Sequence, residues 1–174
     1  MEEEPLIKKT TPLKDILELA GPCQCANCNH GCQFGSGLLA GDDLSKIATF
    51  LNISENEAKE KYFEEVEHFN KKMLRPKVLK KDKPYGKCIF FEGKCTIHEV
   101  KPLQCKTSMQ CKSYGEDLAK WFMVNHIVDP KDPEGVRQYA LYLKTHKALP
   151  GASLEEIVPD QEKLKKILSF EIFK

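Results

Sequence analysis

Eight cysteines in two separated groups constrain this chain more than any other feature of its sequence. The first group spans ten residues, the second spans 24, and 55 residues without a cysteine lie between them. The eight positions are Cys23, Cys25, Cys28, Cys32, Cys88, Cys95, Cys105 and Cys111. In a reducing cytosol, thiols this closely spaced are typical of metal ligands; disulfides are the alternative, because cytosolic proteins of hyperthermophiles can be disulfide-rich. The sequence therefore predicts a fold organised around cysteine-ligated metal.

The two groups differ in how tightly they can wrap an ion. Cys25 and Cys28 form a Cys-x2-Cys step, which turns two thiolates toward one ion. Asn27, Asn29 and Gly31 tolerate the left-handed backbone conformations that such a turn needs. The second group is too open for a zinc knuckle of its own, so we expect it to complete the first group's site or to hold a second one. The two groups should then meet in space.

Length and composition limit the class of protein. A chain of 174 residues with 41% hydrophobic residues predicts one compact domain over residues 1–174 and excludes a disordered chain. The formal net charge is +1, so there is no overall attraction for nucleic acid or anionic lipid. No apolar run approaches the roughly 18 residues of a membrane span, and the first residues lack the features of a secretory signal. We therefore expect a cytoplasmic protein that does not bind membranes.

Hydrophobic periodicity predicts a mainly α fold, a single compact helical domain around a cysteine-ligated metal site with one small β-hairpin. The hairpin is expected to turn at Glu92–Lys94 and to place Cys88 and Cys95 on neighbouring strands. Residues 23–111 would form the metal-binding core, with residues 112–174 as a helical extension packed on it. The predicted helices run from Leu13 to Ala20, from Asp42 or Asp43 to Leu51, from Ser54 to about Met73, from Ser113 to Val128 and from Asp132 to Lys147, with one or two more after Ser153.

One conspicuous run of charge lies between the cysteine groups. Residues Lys71 to Lys87 include eight basic side chains and a single acid, Asp82. A solvated surface loop, broken by Pro76 and Pro84, is the simplest interpretation. The alternative is a docking site for RNA or for an acidic protein partner. Nucleic-acid contact there should be weak, because lysine point charges lack the aromatic platforms and the paired arginine donors of a dedicated nucleic-acid reader.

The cysteines and the residues around them resemble a known family. The matching segments are Cys25-x2-Cys28-x3-Cys32, Leu39-x3-Asp43-Leu44-x2-Ile47-Ala48-x2-Leu51, and Cys88-Ile-Phe-Phe-x3-Cys95-Thr-Ile-His-x2-Lys101-Pro102-Leu103-Gln104-Cys105. Together they resemble the zinc- or iron-chelating, YkgJ-type cysteine-cluster proteins over residues 25–105. The resemblance implies a small, cytoplasmic, mostly helical metal-binding domain. A related cysteine cluster in flagellin lysine methylases is associated with an iron–sulfur centre.

The chain departs from the family pattern at three positions. The second cysteine of the family's adjacent pair is Gln33 here, the usual tyrosine is His98, and the usual arginine is Lys101. Two cysteines, Cys23 and Cys111, lie outside the pattern. We hypothesise that they complete the coordination that Gln33 leaves short, the alternative being that one or both are free or simply buried thiols.

Thiol number and spacing favour an iron–sulfur cluster of the 4Fe-4S type, with zinc as a close alternative. His30 and His98 are weaker ligand candidates. No phosphate-binding glycine loop, dinucleotide fingerprint or Ser-His-Asp arrangement is present, so no catalytic residue is predicted and the sequence leaves open whether the chain is an enzyme. The favoured function is an accessory or redox-linked metal-binding protein. The alternatives are a zinc-stapled adaptor for RNA or protein, and a part of a cluster-dependent system that modifies proteins, as in lysine methylation.

Overall fold

Helices make up most of the regular structure. The computed structural model describes residues 4–21, 29–35, 37–80, 83, 85–108 and 111–174. Its α-helices are α1 (Leu13–Ala20), α2 (Asn29–Phe34), α3 (Asp43–Phe50), α4 (Glu55–Tyr62), α5 (Leu103–Thr107), α6 (Gly115–Phe122), α7 (Pro133–Tyr142), α8 (Leu154–Ile157) and α9 (Gln161–Leu168). Its strands are β1 (Phe63–His68), β2 (Lys71–Pro76), β3 (Val78–Leu79) and β4 (Lys87–Cys88). The predicted mainly α fold is confirmed.

The long helix predicted from Ser54 to Met73 is wrong. It begins as expected, with Ser54 Oγ accepting a hydrogen bond from the Glu57 N–H at 3.2 Å, but α4 ends at Tyr62. The chain then forms an antiparallel hairpin of β1 and β2. Phe69 and Asn70 make its turn with φ values of 49° and 59°, both in the left-handed region that a tight hairpin turn of the primed type requires.

Charge pairing explains why this segment pairs as strands. Acidic residues on β1 face basic residues on β2, and two ion pairs cross the hairpin: Arg75 Nη2 to Glu64 Oε1 at 2.8 Å and Lys72 Nζ to Glu65 Oε1 at 2.9 Å. Phe69 at the turn also packs edge-on against Tyr139 of α7, with ring centroids 6.1 Å apart. Part of the basic run is therefore a strand, and the prediction of a loop is wrong there.

A second small sheet contains one of the cysteines. Val78 of β3 pairs with Cys88 of β4. The predicted turn at Glu92–Lys94 is present, since Phe91 and Cys95 form a bridge around Gly93, whose φ is 77°. Because the strand partner of Cys88 is Val78, the prediction that Cys88 and Cys95 lie on neighbouring strands of one hairpin is wrong.

The C-terminal helices begin at the residues that capping predicts. Asp132 Oδ2 accepts the Gly135 N–H at 3.1 Å, Ser153 and Glu156 form a capping box, and Asp160 caps α9. The prediction that the helix after Asp132 continues to Lys147 is wrong, since α7 ends at Tyr142. The helix predicted to end at Val128 is α-helical to Phe122 and continues as one turn of π-helix over Met123–Ile127.

Buried side chains form two clusters. The larger one joins α1 to the C-terminal helices and includes Ile16, Phe122 and Tyr139. The smaller one lies beside the cysteines and includes Ile47, Phe63, Cys88, Phe90, Phe91 and Ile97. The predicted boundary of a metal-binding core at residues 23–111 stays a prediction. Among the described residues, every helix is too short or too polar to cross a lipid bilayer.

Candidate metal centre

Cys105 and the three cysteines that lie within electrostatic range of it come from four different segments. Cys32 belongs to α2, Cys88 to β4, Cys105 to α5, and Cys95 follows the turn at Gly93. The negative charges that Cys32 and Cys95 would carry as thiolates act on Cys88, and those of Cys32, Cys88 and Cys95 act on Cys105. Helix α2 also contacts β4 directly. The prediction that the two cysteine groups meet in space is thus confirmed for Cys32.

Backbone N–H groups point at three of the four sulfurs. The Phe90 N–H donates to Cys88 Sγ, and the Ile97 N–H donates to Cys95 Sγ. Both bonds run from the residue two positions after the cysteine, so the two segments form the same kind of turn. Such donors stabilise a thiolate and tune a metal that it binds. Both segments are therefore shaped to present a sulfur to a ligand.

Cys105 obtains its donor from a distant part of the chain. The Gly37 N–H donates to Cys105 Sγ. A Cβ at position 37 would overlap that sulfur, so the close approach of this backbone requires glycine. Gly37, which follows the first cysteine group, thereby lies against Cys105, the last cysteine of the family pattern.

Two polar side chains fix this approach. Asp43 is 4% exposed, and its Oδ2 accepts hydrogen bonds from the N–H of Ala40 and from that of Leu103, both at 2.8 Å. Gln104 Oε1 accepts the Leu38 N–H at 2.6 Å. These hydrogen bonds hold the residues that precede Cys105 against the start of α3 and the segment before it. The sequence predicted Asp43 only as an alternative to Asp42 at the start of a helix, and both Asp43 and Gln104 as part of the family pattern; neither was predicted to join these segments.

Burial keeps the thiols of Cys88 and Cys105 protonated at neutral pH when no metal is bound. Burial raises the pKa of Cys88 to about 11 and that of Cys105 to about 12. Burial also raises the pKa of Cys95, and the Ile97 N–H and the nearby Lys101 ammonium partly offset this rise. Lys101 stands where the family has arginine, and it supplies the same positive charge beside a thiol. A bound cation would replace these protons.

The remaining predicted ligands are placed as follows. Cys111 is exposed in the turn before α6, and its role as a ligand stays a prediction. Cys23, Cys25 and Cys28 lie outside the described residues, as does the side chain of His30. Gln33, which replaces a family cysteine, is exposed on α2. His98 is exposed and begins a short 3-10 helix.

The donor set fits a thiophilic metal. Within the described ranges, no three side chains of His, Cys, Asp or Glu are already close enough to enclose an ion. The thiols of Cys32, Cys88 and Cys95 nevertheless act electrostatically on Cys105, and three of these four sulfurs receive backbone N–H donors. Phe63, Phe90, Phe91 and Ile97 form an apolar cluster with Cys88. Soft thiolate ligands select zinc, copper(I) or iron–sulfur clusters.

A mainly helical fold that brings cysteine thiols of both sequence groups together offers the donor type that a metal-chelating protein uses. The family model CxxCxxCC, described as "Putative zinc- or iron-chelating domain", matches residues 24–125. The chain belongs to this family, as the resemblance in its sequence predicted. Neither a curated protein nor a solved structure matches it.

Proposed function

We propose that this protein holds an iron–sulfur cluster of the 4Fe-4S type through cysteine thiolates and acts as an accessory or redox-linked protein in the reducing cytoplasm. The observation that carries the proposal is the convergence of Cys32, Cys88, Cys95 and Cys105, with backbone N–H groups donating to the last three. When bound, such a cluster supplies one-electron transfer at a potential set by its surroundings.

The way the ligands are delivered supports a cluster over zinc. Structural zinc sites are typically built from cysteine pairs two to four residues apart, each pair closing on one ion. The three cysteines of the second group that lie close together are separated by six and nine residues, and they come from a strand, a turn and a helix. A compact run joined by remote cysteines is a pattern of cluster proteins. Cys23, Cys25, Cys28 and Cys111 would complete this site or form a second one.

Zinc is the second candidate, and one observation favours it. The N–H groups of Phe90 and Ile97 each donate to the cysteine sulfur two residues earlier, in the compact turn expected of a cysteine knuckle around a single ion. Zinc would be closed off from reaction and would serve to hold the four segments together.

Anaerobic purification followed by measurement of iron, acid-labile sulfide and zinc per chain separates the two candidates. A 4Fe-4S cluster gives iron and sulfide in equal amounts and broad absorption at about 400 nm that reduction bleaches. If a preparation kept free of oxygen contains zinc but no sulfide, the structural-zinc proposal replaces the cluster proposal. Protein that takes up neither metal after reconstitution would contradict both.

A further inference from the structure

An exposed aromatic pair stands at the rim of the cysteine cluster. Phe34 is 47% exposed and Tyr85 is 43% exposed, and their ring centroids are 5.6 Å apart. Phe34 follows Cys32 by two residues on α2, while Tyr85 precedes Cys88 by three. Isolated exposed apolar residues need no explanation, but adjacent aromatic rings exposed to this extent are typical of interaction sites.

Exposed lysines flank Tyr85 in the sequence. Lys80, Lys83 and Lys87 are all exposed, and Lys83 Nζ lies 5.4 Å from the centroid of the Tyr85 ring. In the part of the chain that the structure describes, no carboxylate pairs with Lys83 or Lys87. We call these three lysines with Phe34 and Tyr85 the aromatic–lysine surface.

The fold brings the two rings of this surface together. The pairing of β3 with β4 sets the start and end of the loop that carries Tyr85, and Gly86 approaches the Leu79 carbonyl so closely that a Cβ would overlap it. Helix α2 contacts β4 and brings Phe34 to the same place. The two rings therefore come together on separate elements that the fold itself joins.

The charges and rings favour an acidic protein segment over nucleic acid. Base stacking needs an open ring face, whereas Lys83 lies over the Tyr85 ring and Phe34 is tilted against it at 45°. The arginines that read phosphates in pairs are engaged elsewhere: Arg75 with Glu64 and Arg137 with Glu134. Exposed aromatic side chains beside exposed lysines suit a protein partner that carries acidic and apolar side chains.

We propose that the aromatic–lysine surface docks an acidic segment of a partner protein, in which aspartate or glutamate flanks an apolar or aromatic side chain. The apolar side chain packs against Phe34 and Tyr85, and the carboxylates pair with Lys83 and Lys87. The proposal goes beyond metal binding and concerns docking alone, so it stands or falls independently of the metal.

Selection from a random peptide library tests the proposal. The full-length protein, as purified under anaerobic and reducing conditions, is used to select from peptides of about 12 residues, a length that covers a surface of this size. Selected sequences should share one or more acidic residues beside Phe, Tyr, Trp or Leu. The affinity of a selected peptide, measured by fluorescence anisotropy, should fall severalfold between about 50 and about 300 mM salt.

Matched variants locate the binding. Phe34→Ala with Tyr85→Ala, and separately Lys83→Glu with Lys87→Glu, should each weaken the peptide at least about tenfold. Lys165→Glu with Lys166→Glu reverses the same number of exposed lysines on α9 and should leave affinity unchanged. Lys83→Ala with Lys87→Ala gives a milder test should the charge reversal disturb folding. The metal content and the melting temperature of every variant are measured as well, so that a loss of peptide affinity can be told apart from a loss of metal or of folding.

Three results would overturn the proposal. One is a selection that yields no acidic–apolar consensus. Another is a peptide that binds the surface variants as well as it binds the unchanged protein. The third is a uridine RNA oligonucleotide that binds more tightly than the best peptide and loses affinity in the same variants, which would assign the surface to RNA.

Discussion

The backbone N–H of Gly37 donates to Cys105 Sγ at an approach so close that a Cβ on residue 37 would overlap the sulfur. Gly37→Ala should therefore force the two segments apart and remove the donor. We expect a loss of about 1–3 kcal/mol in the free energy of unfolding, the usual range for overpacking, together with reduced metal content. Gly35→Ala is the matched control, because nothing lies within 4 Å of a Cβ at that position. Equal metal content and equal stability in the two variants would contradict this prediction.

Asp43 should be far more important for stability than its neighbour Asp42. Asp43→Ala leaves the N–H groups of Ala40 and Leu103 without their buried acceptor, and we expect a loss of at least about 2 kcal/mol. Asp42→Ala removes only an exposed pair with Lys46, a type of pair that contributes less than about 1 kcal/mol. Urea unfolding of both variants, with metal bound and after its removal, measures the difference. A loss for Asp42→Ala as large as that for Asp43→Ala would show that the buried carboxylate has no special role.

Cys105 should be required for metal binding, and the same measurement tests the two cysteines outside the family pattern. Cys105→Ser should lose most of the bound metal and lower the melting temperature, because metal affinity contributes to folding energy where the site exists only in the folded chain. Cys111 is exposed, and Cys111→Ser tests whether it contributes a ligand. The double variant Cys23→Ser with Cys111→Ser extends the test to the other cysteine outside the family pattern. The full metal content and an unchanged spectrum in the double variant would remove both from the ligand set.

Without metal, the protein should lose stability at alkaline pH. The pKa of Cys88 is raised from 9.0 to about 11 and that of Cys105 from 9.0 to about 12, so above pH 9 the unfolded chain releases these protons while the folded chain keeps them. Each thiol then lowers stability by up to about 1.4 kcal/mol per pH unit until the folded pKa is reached. Urea unfolding at several pH values, with chelator and reductant present, measures the slope. Cys88→Ser should reduce it; a slope that Cys88→Ser leaves intact would contradict the assignment.

Metal should reverse this dependence on pH. Binding replaces thiol protons, so loading should release protons that a pH indicator in weak buffer detects, and affinity should fall as pH is lowered. Cys105→Ser should release fewer protons than the unchanged protein. Loading with no proton release at neutral pH would mean that the thiols are not the ligands.

Sequence patterns identified the cysteine groups, the family and most helix starts, because these depend on spacing and on local capping. The end of the helix that begins at Glu55 was missed, since the strand that follows is decided by ion pairs with a segment further along the chain, such as Glu64 with Arg75. The role of Asp43 was missed for a related reason. Its burial depends on the docking of residues 102–105, 60 positions away, and nothing in its local sequence distinguishes it from Asp42.

The approach of Cys32 to Cys88 gives a bound metal the character of a cross-link. Fifty-five residues lie between these two cysteines, and they include α3, α4 and the β1–β2 hairpin. Joining two points of an unfolded chain at this separation removes conformational entropy equivalent to about 4 kcal/mol, as estimated for disulfide-closed loops. Metal retained by the unfolded chain would keep that loop closed. Refolding would then begin from a closed loop, inside which the β1–β2 hairpin can form locally, rather than from an open chain.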